Sequence, residues 1–438
     1  MLRLNAAHGD ATVHTASATR IRAAAGELGR PAAILVDLPG PKLRTGDVRG
    51  EAVELTAGTT FVLTAQGARG NETRVSTTVP ELARWVGPGD EITLADGAIV
   101  LAVEAIRDAD VYTTIARGGM LRSRKGMHIP RAEQHVEPFT DADRDALDLA
   151  LALRAEFVGI SFVRHGRDVE QIRSSLPRRG HRPLLVTKIE TAAALDDLDG
   201  IIGAADAVMV ARGDLGIEVP EARVPLLQKE IIRRCNAAGK PVITATQMLE
   251  SMTRSPMPTR AEVNDIANAV IDGTDALMLS EETAVGAHPV DAVRTMAEVA
   301  LEAERWPRDR VVPEPSDADR VAWAVAHAAV EAAEDLDVTA IVCATHSGIT
   351  ARRVASFRPL VPVIGASEQP EVLGQLCLVW GVEPVPVRIV PDGEDRLAAA
   401  LEAGRDAGLL ARGDLVAVVM ASPAPRAGAT DTVRIVRA

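Results

Sequence analysis

The sequence predicts an α/β protein built on a (β/α)8 TIM-type barrel, with a small β-barrel domain inserted into it and a C-terminal α/β domain. Strand-like and helix-like stretches alternate between Asp141 and Glu304, which is typical of βα units in a parallel sheet. The predicted helices include a short one near Thr191–Leu198 and longer ones over Arg260–Ile271 and Pro289–Glu304. Polar side chains follow one strand after another in this region. Between Gly46 and Pro130 the character changes to short β-forming runs separated by turn signals.

Seven strand-like runs make up the predicted barrel: Leu2–Asn5, Ala33–Leu38, Phe157–Val163, Leu184–Glu190, Ala207–Ala211, Pro241–Gln247 and Ala276–Ser280. The polar residues at the ends of the last five include Ser161, Lys188, Asp214, Thr246 and Glu282. The carboxyl ends of barrel strands carry the active site, whereas a doubly wound sheet places its ligand at one switch point. Polar residues at five successive strand ends favour the barrel over the doubly wound sheet. Because a closed barrel needs eight strands, the count predicts that the first βα unit is missing.

The domain boundaries follow from these changes in pattern. Residues 1–46 and 131–312 are assigned to the barrel, and residues 47–130 to the inserted β domain. A tract rich in Pro and Asp, Trp306–Asp319, reads as a linker. Residues 313–438 form the C-terminal α/β domain, in which the pattern predicts the helices Arg320–Glu334, Thr350–Ser356 and Pro370–Leu378 and the strands Ala340–Ala344, Val361–Gly365 and Leu415–Met420.

Composition excludes several classes of protein. The chain has 438 residues, and its net charge of −13 argues against general binding to nucleic acid or to an anionic membrane. Its three cysteines, Cys235, Cys343 and Cys377, show no CxxC spacing and are expected to be free thiols. No apolar run is long enough to span a membrane, and no signal peptide is visible. We therefore expect a cytoplasmic protein.

Lys188, Glu190 and Asp214 form the strongest chemical signal. Lys188 and Glu190 are two residues apart on one strand and project from the same side. Asp214 lies at the next strand end, after a glycine that allows close approach to a ligand. Two carboxylates suit Mg²⁺, which retains waters and substrate oxygens as further ligands. The ammonium of Lys188 would stabilise a transferring phosphoryl group. The alternative is an exposed ion pair at a strand end.

Other polar residues are weaker candidates. Arg3 and Arg44, which lie at or beyond strand ends, could bind phosphate, or they could simply be solvated. Thr246 stands in the ring of strand ends, although a threonine in a strand is more often structural. The histidines show no zinc-ligand spacing, and the sequence contains no Walker motif and no nucleophile elbow.

Several segments resemble the pyruvate kinase family of bacterial type, in unbroken order and over the whole chain. The signature-like segments are Val210–Pro220, Lys240–Met252, Pro258–Glu262 and Met278–Ala284, with shorter matches at Lys188–Glu190, Gly40–Arg44, Arg3–Asn5 and His8–Gly9. The resemblance implies Mg²⁺- or Mn²⁺-dependent phosphoryl transfer from phosphoenolpyruvate to ADP, giving pyruvate and ATP in glycolysis. It also implies a homotetramer.

The resemblance assigns roles residue by residue. Glu190 and Asp214 would hold the metal, and Lys188 the transferring phosphoryl group. Backbone N–H groups at Gly213 and Asp214, with the Thr246 hydroxyl, would bind the substrate carboxylate. Arg3 would contact the substrate phosphate. Arg44 and Lys125 would lie toward the nucleotide, with the β domain closing over it as a lid. Thr246, Ser280 and Glu282 would belong to the network that protonates the enolate.

One departure from the family concerns its monovalent-cation site. Asn5 and Asp37 match that site, but Ala7 and Leu38 stand where the family has Ser and Thr. Lys42 replaces the acidic residue that the family carries nearby. Because a fixed ammonium can replace the charge of K⁺, the resemblance predicts activity without K⁺.

Two further departures lie at the ends of the chain. The first strand and helix of the family are absent, which favours a natural start upstream of Met1 over an impaired or divergent protein. Thr345–Thr350 resembles the effector phosphate loop of the family, whereas Ser422–Thr432 matches the fructose-1,6-bisphosphate-binding form poorly. The alternatives to pyruvate kinase activity are a catalytically impaired paralogue with a regulatory or oligomer-partner role, and another Mg²⁺- and enolpyruvate-using barrel enzyme.

Overall fold

The computed structural model describes residues 1–67, 69–95, 97–129, 136–306, 311–315, 320–388, 393–421 and 430–438. The chain begins with β1 (Leu2–Asn5), α1 (Ala11–Leu28) and β2 (Ile34–Asp37). The Asp10 side chain caps the start of α1 by accepting a hydrogen bond from the Val13 amide, and Gly29 ends the helix in the left-handed conformation. β1 and β2 pair in parallel, with Asn5 opposite Asp37.

The inserted domain is built of β structure. Its elements are β3 (Ala52–Leu55), β4 (Thr60–Thr64), β5 (Arg74–Ser76), α2 (Leu82–Trp85), β6 (Glu91–Leu94), β7 (Ile99–Arg107), β8 (Asp110–Arg117), β9 (Gly119–Arg122) and β10 (Met127–His128). Six of the strands form one sheet in the order β10-β6-β7-β8-β4-β5, and β3 pairs with β9. Buried apolar side chains such as Phe61 and Leu101 give this unit a core of its own. We refer to it below as the lid.

The barrel resumes after the lid and alternates strands with helices. Its elements are α3 (Asp141–Ala152), β11 (Phe157–Ile160), α4 (Gly166–Ser175), β12 (Leu184–Ile189), α5 (Ala192–Asp196), α6 (Leu198–Ala204), β13 (Ala207–Ala211), α7 (Arg212–Glu218), α8 (Val224–Ala237), β14 (Val242–Ala245), α9 (Arg260–Ile271), β15 (Ala276–Met278), α10 (Glu281–Ala284) and α11 (Pro289–Glu304). Short 3₁₀ turns occupy Glu221–Arg223 and Glu250–Thr253. The described part of this sheet holds seven parallel strands in the order β1-β2-β11-β12-β13-β14-β15, as the strand count predicts.

Some predicted element ends are wrong. The strand predicted over Pro241–Gln247 ends at Ala245, because Thr246 and Gln247 adopt positive φ angles of 69° and 55° that no strand accommodates. The strand predicted over Ala276–Ser280 ends at Met278. The single helix predicted near Thr191–Leu198 is two helices, α5 and α6, which are separated at Asp197. Thr246 and Ser280 therefore lie in turns beyond the strands.

The C-terminal domain is a second parallel sheet with helices. It contains α12 (Arg320–Asp335), β16 (Ala340–Ala344), α13 (Ile349–Ser356), β17 (Val363–Ser367), α14 (Pro370–Leu376), β18 (Val382–Pro386), α15 (Gly393–Asp406), β19 (Leu415–Met420) and β20 (Thr432–Arg437). The sheet order is β18-β17-β16-β19-β20, and β20 alone runs antiparallel to its neighbour. The sequence pattern does not predict β18, α15 or β20. Among the described helices, none combines the length and apolar character that a membrane span requires.

Candidate active site

Lys188 lies at the centre of a buried charge cluster at the carboxyl end of β12. Its ammonium donates a hydrogen bond to the Ser161 hydroxyl at 2.9 Å. It also lies 3.2 Å from Glu190 Oε2 and 3.5 Å from Asp37 Oδ2. Burial alone would lower the pKa of Lys188, but the carboxylates of Asp37 and Glu190 outweigh it and raise that pKa above its ordinary value. Lys188 therefore stays charged while 8% exposed.

Glu190 is fully buried, and only one of its oxygens forms a hydrogen bond. Oε1 accepts the Phe162 amide at 2.7 Å. Oε2 has no hydrogen-bond partner within the described ranges, although it lies next to Lys188. Burial raises the pKa of Glu190 to about 7, although the Lys188 ammonium opposes this change. This carboxylate oxygen is paired with Lys188 but accepts no hydrogen bond, so it remains suited to a further cation.

Arg3 and Asp37 connect the first two strands of the barrel to this cluster. Arg3 donates from Nη2 and Nε to Asp37 Oδ2, at 2.5 and 2.8 Å. Burial would raise the pKa of Asp37, but Lys188 and Arg3 together lower it. Asn5, the other residue assigned to a monovalent-cation site, accepts the Ala7 amide at 3.1 Å. The structure thus places Asp37 against two fixed cations, a contact that the sequence analysis did not predict.

Asp214 lies in the first turn of α7 and faces a partly exposed cation. Lys42 Nζ lies 3.2 Å from Asp214 Oδ1, and both side chains are about one third exposed. Lys42 follows Gly40 and Pro41 in the loop after β2. The lysine that departs from the family pattern therefore contacts Asp214, the predicted metal ligand, directly.

Gly213 and Thr246 meet beside Asp214. The Gly213 amide donates to the Thr246 hydroxyl at 2.9 Å, which satisfies one of the free N–H groups at the start of α7. Arg212 holds this turn in place by donating to the carbonyls of Ala245 and Thr246, at 3.2 and 2.5 Å. The Arg212 guanidinium is itself fixed by Asp265, at 2.7 Å. The role of Arg212 is not evident from the sequence, because it depends on contacts between residues that are 33 to 53 positions apart.

Ser280 and Glu282 lie beyond β15, where Glu282 is buried. One Glu282 oxygen accepts the Leu249 amide at 3.0 Å and the other accepts the Ser280 amide at 2.7 Å. These bonds fix the turn after β15 against the 3₁₀ turn that begins at Glu250. Their part in proton transfer stays a prediction.

A cleft lies between the lid and the barrel beside these residues. It encloses about 740 Å³, including its open mouth, and its lining includes Lys42, Phe162, Arg164, Thr191 and Asp214. From the lid side it is lined by residues that include Leu43, Thr93, Gly126, Met127 and His128.

The two predicted nucleotide residues flank this lining. Arg44 and Lys125 are the neighbours of the lining residues Leu43 and Gly126, and Arg44 donates to the Arg124 carbonyl at 3.1 Å. His128 of β10 lies 2.6 Å from Glu218 of α7 and so connects the lid to the barrel.

Glu190 and Asp214 fit a divalent cation with few protein ligands. The described residues contain no group of three or more His, Cys, Asp or Glu side chains arranged for a metal ion. Mg²⁺ does not require such a group, since one or two carboxylates together with waters and substrate oxygens suffice. The buried, unbonded Oε2 of Glu190 supports this fit.

Comparison with known proteins identifies the family. The profile described as "Pyruvate kinase, barrel domain" matches residues 1–293, and "Pyruvate kinase, alpha/beta domain" matches residues 323–436. The chain belongs to the pyruvate kinase family. Members of this family generally use a divalent metal ion.

Individual relatives are similar over nearly the whole chain. The chain is 40% identical to the pyruvate kinase of Geobacillus stearothermophilus, over 99% of this chain and 75% of that protein. It is 39% identical to that of Mycobacterium tuberculosis strain H37Rv, over 99% and 92%. A crystal structure of a pyruvate kinase from Cryptosporidium parvum superposes with a TM-score of 0.89 at 35% identity, covering 99% and 90% of the two chains. The resemblance noted in the sequence and the predicted fold class are thus confirmed.

Proposed function

We propose that this chain catalyses phosphoryl transfer from phosphoenolpyruvate to ADP, giving pyruvate and ATP. The observation that carries the proposal is the buried cluster in which Lys188 lies between Asp37 and Glu190. A fixed ammonium in a site of low dielectric stabilises the charge of a transferring phosphoryl group. The family membership of the chain and of its relatives supports the same reaction.

Glu190 and Asp214 would hold the divalent cation, which we propose to be Mg²⁺ or Mn²⁺. Once bound, that cation supplies positive charge to the substrate oxygens and to the phosphoryl group. Glu190 keeps the Phe162 amide as its second partner, so its orientation is fixed before any ligand enters. Asp214 would turn from Lys42 towards the cation.

The substrate carboxylate would lie at the start of α7. The Gly213 amide now donates to Thr246, and the Thr246 hydroxyl donates to the Ala245 carbonyl at 2.6 Å. A carboxylate placed there would accept both hydrogens. Arg212 holds the backbone of this turn, which keeps the Thr246 hydroxyl in position.

The remaining assignments extend outward from this centre. Arg3, whose side chain is about one quarter exposed, would contact the substrate phosphate while remaining paired with Asp37. Arg44 and Lys125 would bind the nucleotide at the lid side of the cleft. Thr246, Ser280 and Glu282 would belong to the network that protonates the enolate. We also propose that the barrel comprises residues 1–46 and 131–312, the lid residues 47–130, and the C-terminal domain residues 313–438.

Location and assembly are proposed on the family alone. We place the chain in the cytoplasm as a homotetramer that binds no nucleic acid and no membrane. Light scattering of the purified protein measures the assembly state directly. A mass of one or two chains, from a monomer of 46.2 kDa, would contradict the tetramer.

A coupled lactate dehydrogenase assay with phosphoenolpyruvate, ADP and Mg²⁺ tests the activity, and Lys188→Met tests the centre. We expect Lys188→Met to lower kcat by roughly 10²-fold or more, because it removes a preorganised charge. Lys229→Met is the matched control, since Lys229 forms an exposed ion pair with Asp272 on the barrel surface. It should retain full activity.

The assay also separates the alternatives. An inactive wild-type chain that folds normally would favour the impaired paralogue, for which the comparisons give no support. Consumption of phosphoenolpyruvate without formation of ATP would favour the other alternative, a different barrel enzyme that uses Mg²⁺ and enolpyruvate.

We also propose that activity does not require K⁺. Lys42 brings a permanent ammonium to within 3.2 Å of Asp214, at a position where the family carries an acid. Replacing K⁺ by tetramethylammonium in the coupled assay should leave kcat nearly unchanged. Lys42→Glu should make the rate depend on K⁺, since the fixed charge is then lost. A large loss of wild-type rate without K⁺ would refute this proposal.

A further inference from the structure

A small cavity lies between the barrel and the C-terminal domain, away from the cleft. It encloses about 250 Å³, including open space, and is lined by Lys240, Asp275, Arg352, Ser356 and Arg358, together with Asn236, Gly239, Pro241 and Val379. Lys240 follows α8, and Asp275 precedes β15, so both lie at the amino ends of barrel strands. Arg352 and Ser356 belong to α13 of the C-terminal domain. The cavity is therefore walled by two domains and lies at the opposite end of the barrel strands from Lys188.

Three cations and one carboxylate line this cavity. Among the described residues of the lining, Asp275 alone is acidic, and its Oδ2 pairs with Arg358 Nη2 at 2.9 Å. The same oxygen accepts the Val242 amide at 2.9 Å. Asp206 lies near enough to act on Lys240 and Arg352, but it already accepts hydrogen bonds from Arg173 and from the Leu185 amide. The lining keeps an excess of positive charge.

Arg352 is a partly buried guanidinium without a partner. Across the part of the chain that the structure describes, the Arg352 side chain forms no hydrogen bond and no ion pair. Burial lowers its pKa, although Asp206 opposes this change. A guanidinium has five donors in a planar fork that matches the oxygens of a phosphate. Such a group is costly to bury unless an anion pairs with it.

Arg358 and Lys240 hold further donors towards the same space. Arg358 is 8% exposed and uses Nη2 for Asn236, Gly273 and Asp275, whereas its buried Nη1 has no partner within the described ranges. Lys240 Nζ donates to the Ala205 carbonyl at 2.6 Å and lies 3.4 Å from the Gly203 carbonyl. Because an ammonium has three hydrogens, one remains for a ligand. The Ser356 hydroxyl also lines the cavity, but it already donates its hydrogen to the Arg353 carbonyl at 2.7 Å.

We propose that this cavity binds a phosphate group, either inorganic phosphate or the phosphate of a small phosphorylated metabolite. A phosphate dianion would neutralise the excess charge and would accept hydrogen bonds from Arg352, Arg358 and Lys240. Since these residues come from both domains, the bound group would also stabilise the contact between them. The site is separate from the loop Thr345–Thr350 at the start of α13, because none of the residues that line the cavity belongs to that loop.

Isothermal titration of the full chain with inorganic phosphate, at constant ionic strength, tests the proposal. Wild-type protein should bind phosphate, and Arg352→Gln should weaken the affinity by roughly tenfold or more, because it removes a charge-assisted donor. The midpoint of unfolding without phosphate should not fall in Arg352→Gln, since this side chain has no partner to lose. That measurement separates lost binding from lost folding.

Two matched variants exclude other sites. Lys188→Met alters the catalytic cluster and Ser347→Ala alters the exposed loop before α13, and both should bind inorganic phosphate at this cavity like the wild type. Absence of binding by the wild type, or equal affinity of wild type and Arg352→Gln, would overturn the proposal. Loss of binding in Lys188→Met or Ser347→Ala alone would do the same. In a parallel titration, tighter Arg352-dependent binding of glucose 6-phosphate would identify a sugar phosphate as the source of the group.

Discussion

At the scale of single residues, burial and charge pairing compete in the candidate active site. Lys188 Nζ and Glu190 Oε2 lie 3.2 Å apart at the carboxyl end of β12, and both residues are buried. The ammonium keeps its proton because two carboxylates favour the charged form. Burial raises the pKa of the Glu190 carboxyl by more than the Lys188 ammonium lowers it. The cluster is therefore complete only when a second cation reaches Glu190.

This imbalance predicts how the stability of the metal-free protein depends on pH. Burial raises the pKa of Glu190 to about 7 in the folded state, against 4.5 for the ordinary group. The folded chain therefore holds this proton more tightly than the unfolded chain does. The resulting stabilisation is present below pH 4.5 and is lost as the pH rises through 7. From this shift, we expect a loss on the order of 3 kcal/mol in the free energy of unfolding.

Urea unfolding in EDTA at several pH values measures this dependence. Glu190→Gln should lack it, because the amide retains the Phe162 hydrogen bond but does not titrate. Asp37 and Lys188 do not interfere between pH 4.5 and 7, because the pKa of Asp37 is lowered and that of Lys188 is raised. Saturating Mg²⁺ should reverse the slope in the wild type, since metal binding favours the ionised carboxylate. Equal slopes in wild type and Glu190→Gln would contradict the prediction.

At the scale of elements, local chemistry made some boundaries predictable. The helix predicted over Arg260–Ile271 is confirmed to the residue, because Thr259 and Glu262 form a capping box that marks its start. The helix predicted over Pro289–Glu304 is also confirmed to the residue, and the proline at its first position marks its start. The strands β16 and β19 are short apolar runs with turn residues nearby, and their predicted limits also hold.

Other elements were not predictable because tertiary contacts decide them. Thr246 has a left-handed φ, which is unfavourable for a β-branched residue, and it depends on the distant Arg212. β20 reads Thr-Val-Arg-Ile-Val-Arg, which lacks a regular alternation of polar and apolar residues, and it is defined mainly by its pairing with β19. In the site, Arg3 and Asp37 were assigned separate roles. Their ion pair depends on the parallel register of β1 and β2, which brings together residues that are 34 positions apart.

At the scale of the whole molecule, one buried ion pair connects the barrel to the C-terminal domain. Arg358 follows α13, and it reaches Asn236, Gly273 and Asp275 of the barrel while its guanidinium lies 5.1 Å from the Trp380 ring. Asp275 in turn accepts the backbone amide of Val242 at the start of β14. Both side chains are 8% exposed, so water does not replace a lost partner.

Breaking this pair from one side should therefore uncouple the two domains. Arg358→Met removes the guanidinium and leaves the carboxylate of Asp275 buried and uncompensated, which costs about 3–5 kcal/mol in comparable buried pairs. We expect urea unfolding to change from one transition to two, with the C-terminal domain unfolding first. Arg305→Met is the matched control, because it breaks an exposed pair with Glu302 and should change stability by no more than about 0.5 kcal/mol. A single transition in Arg358→Met at the wild-type midpoint would show that apolar contacts alone hold the domains together.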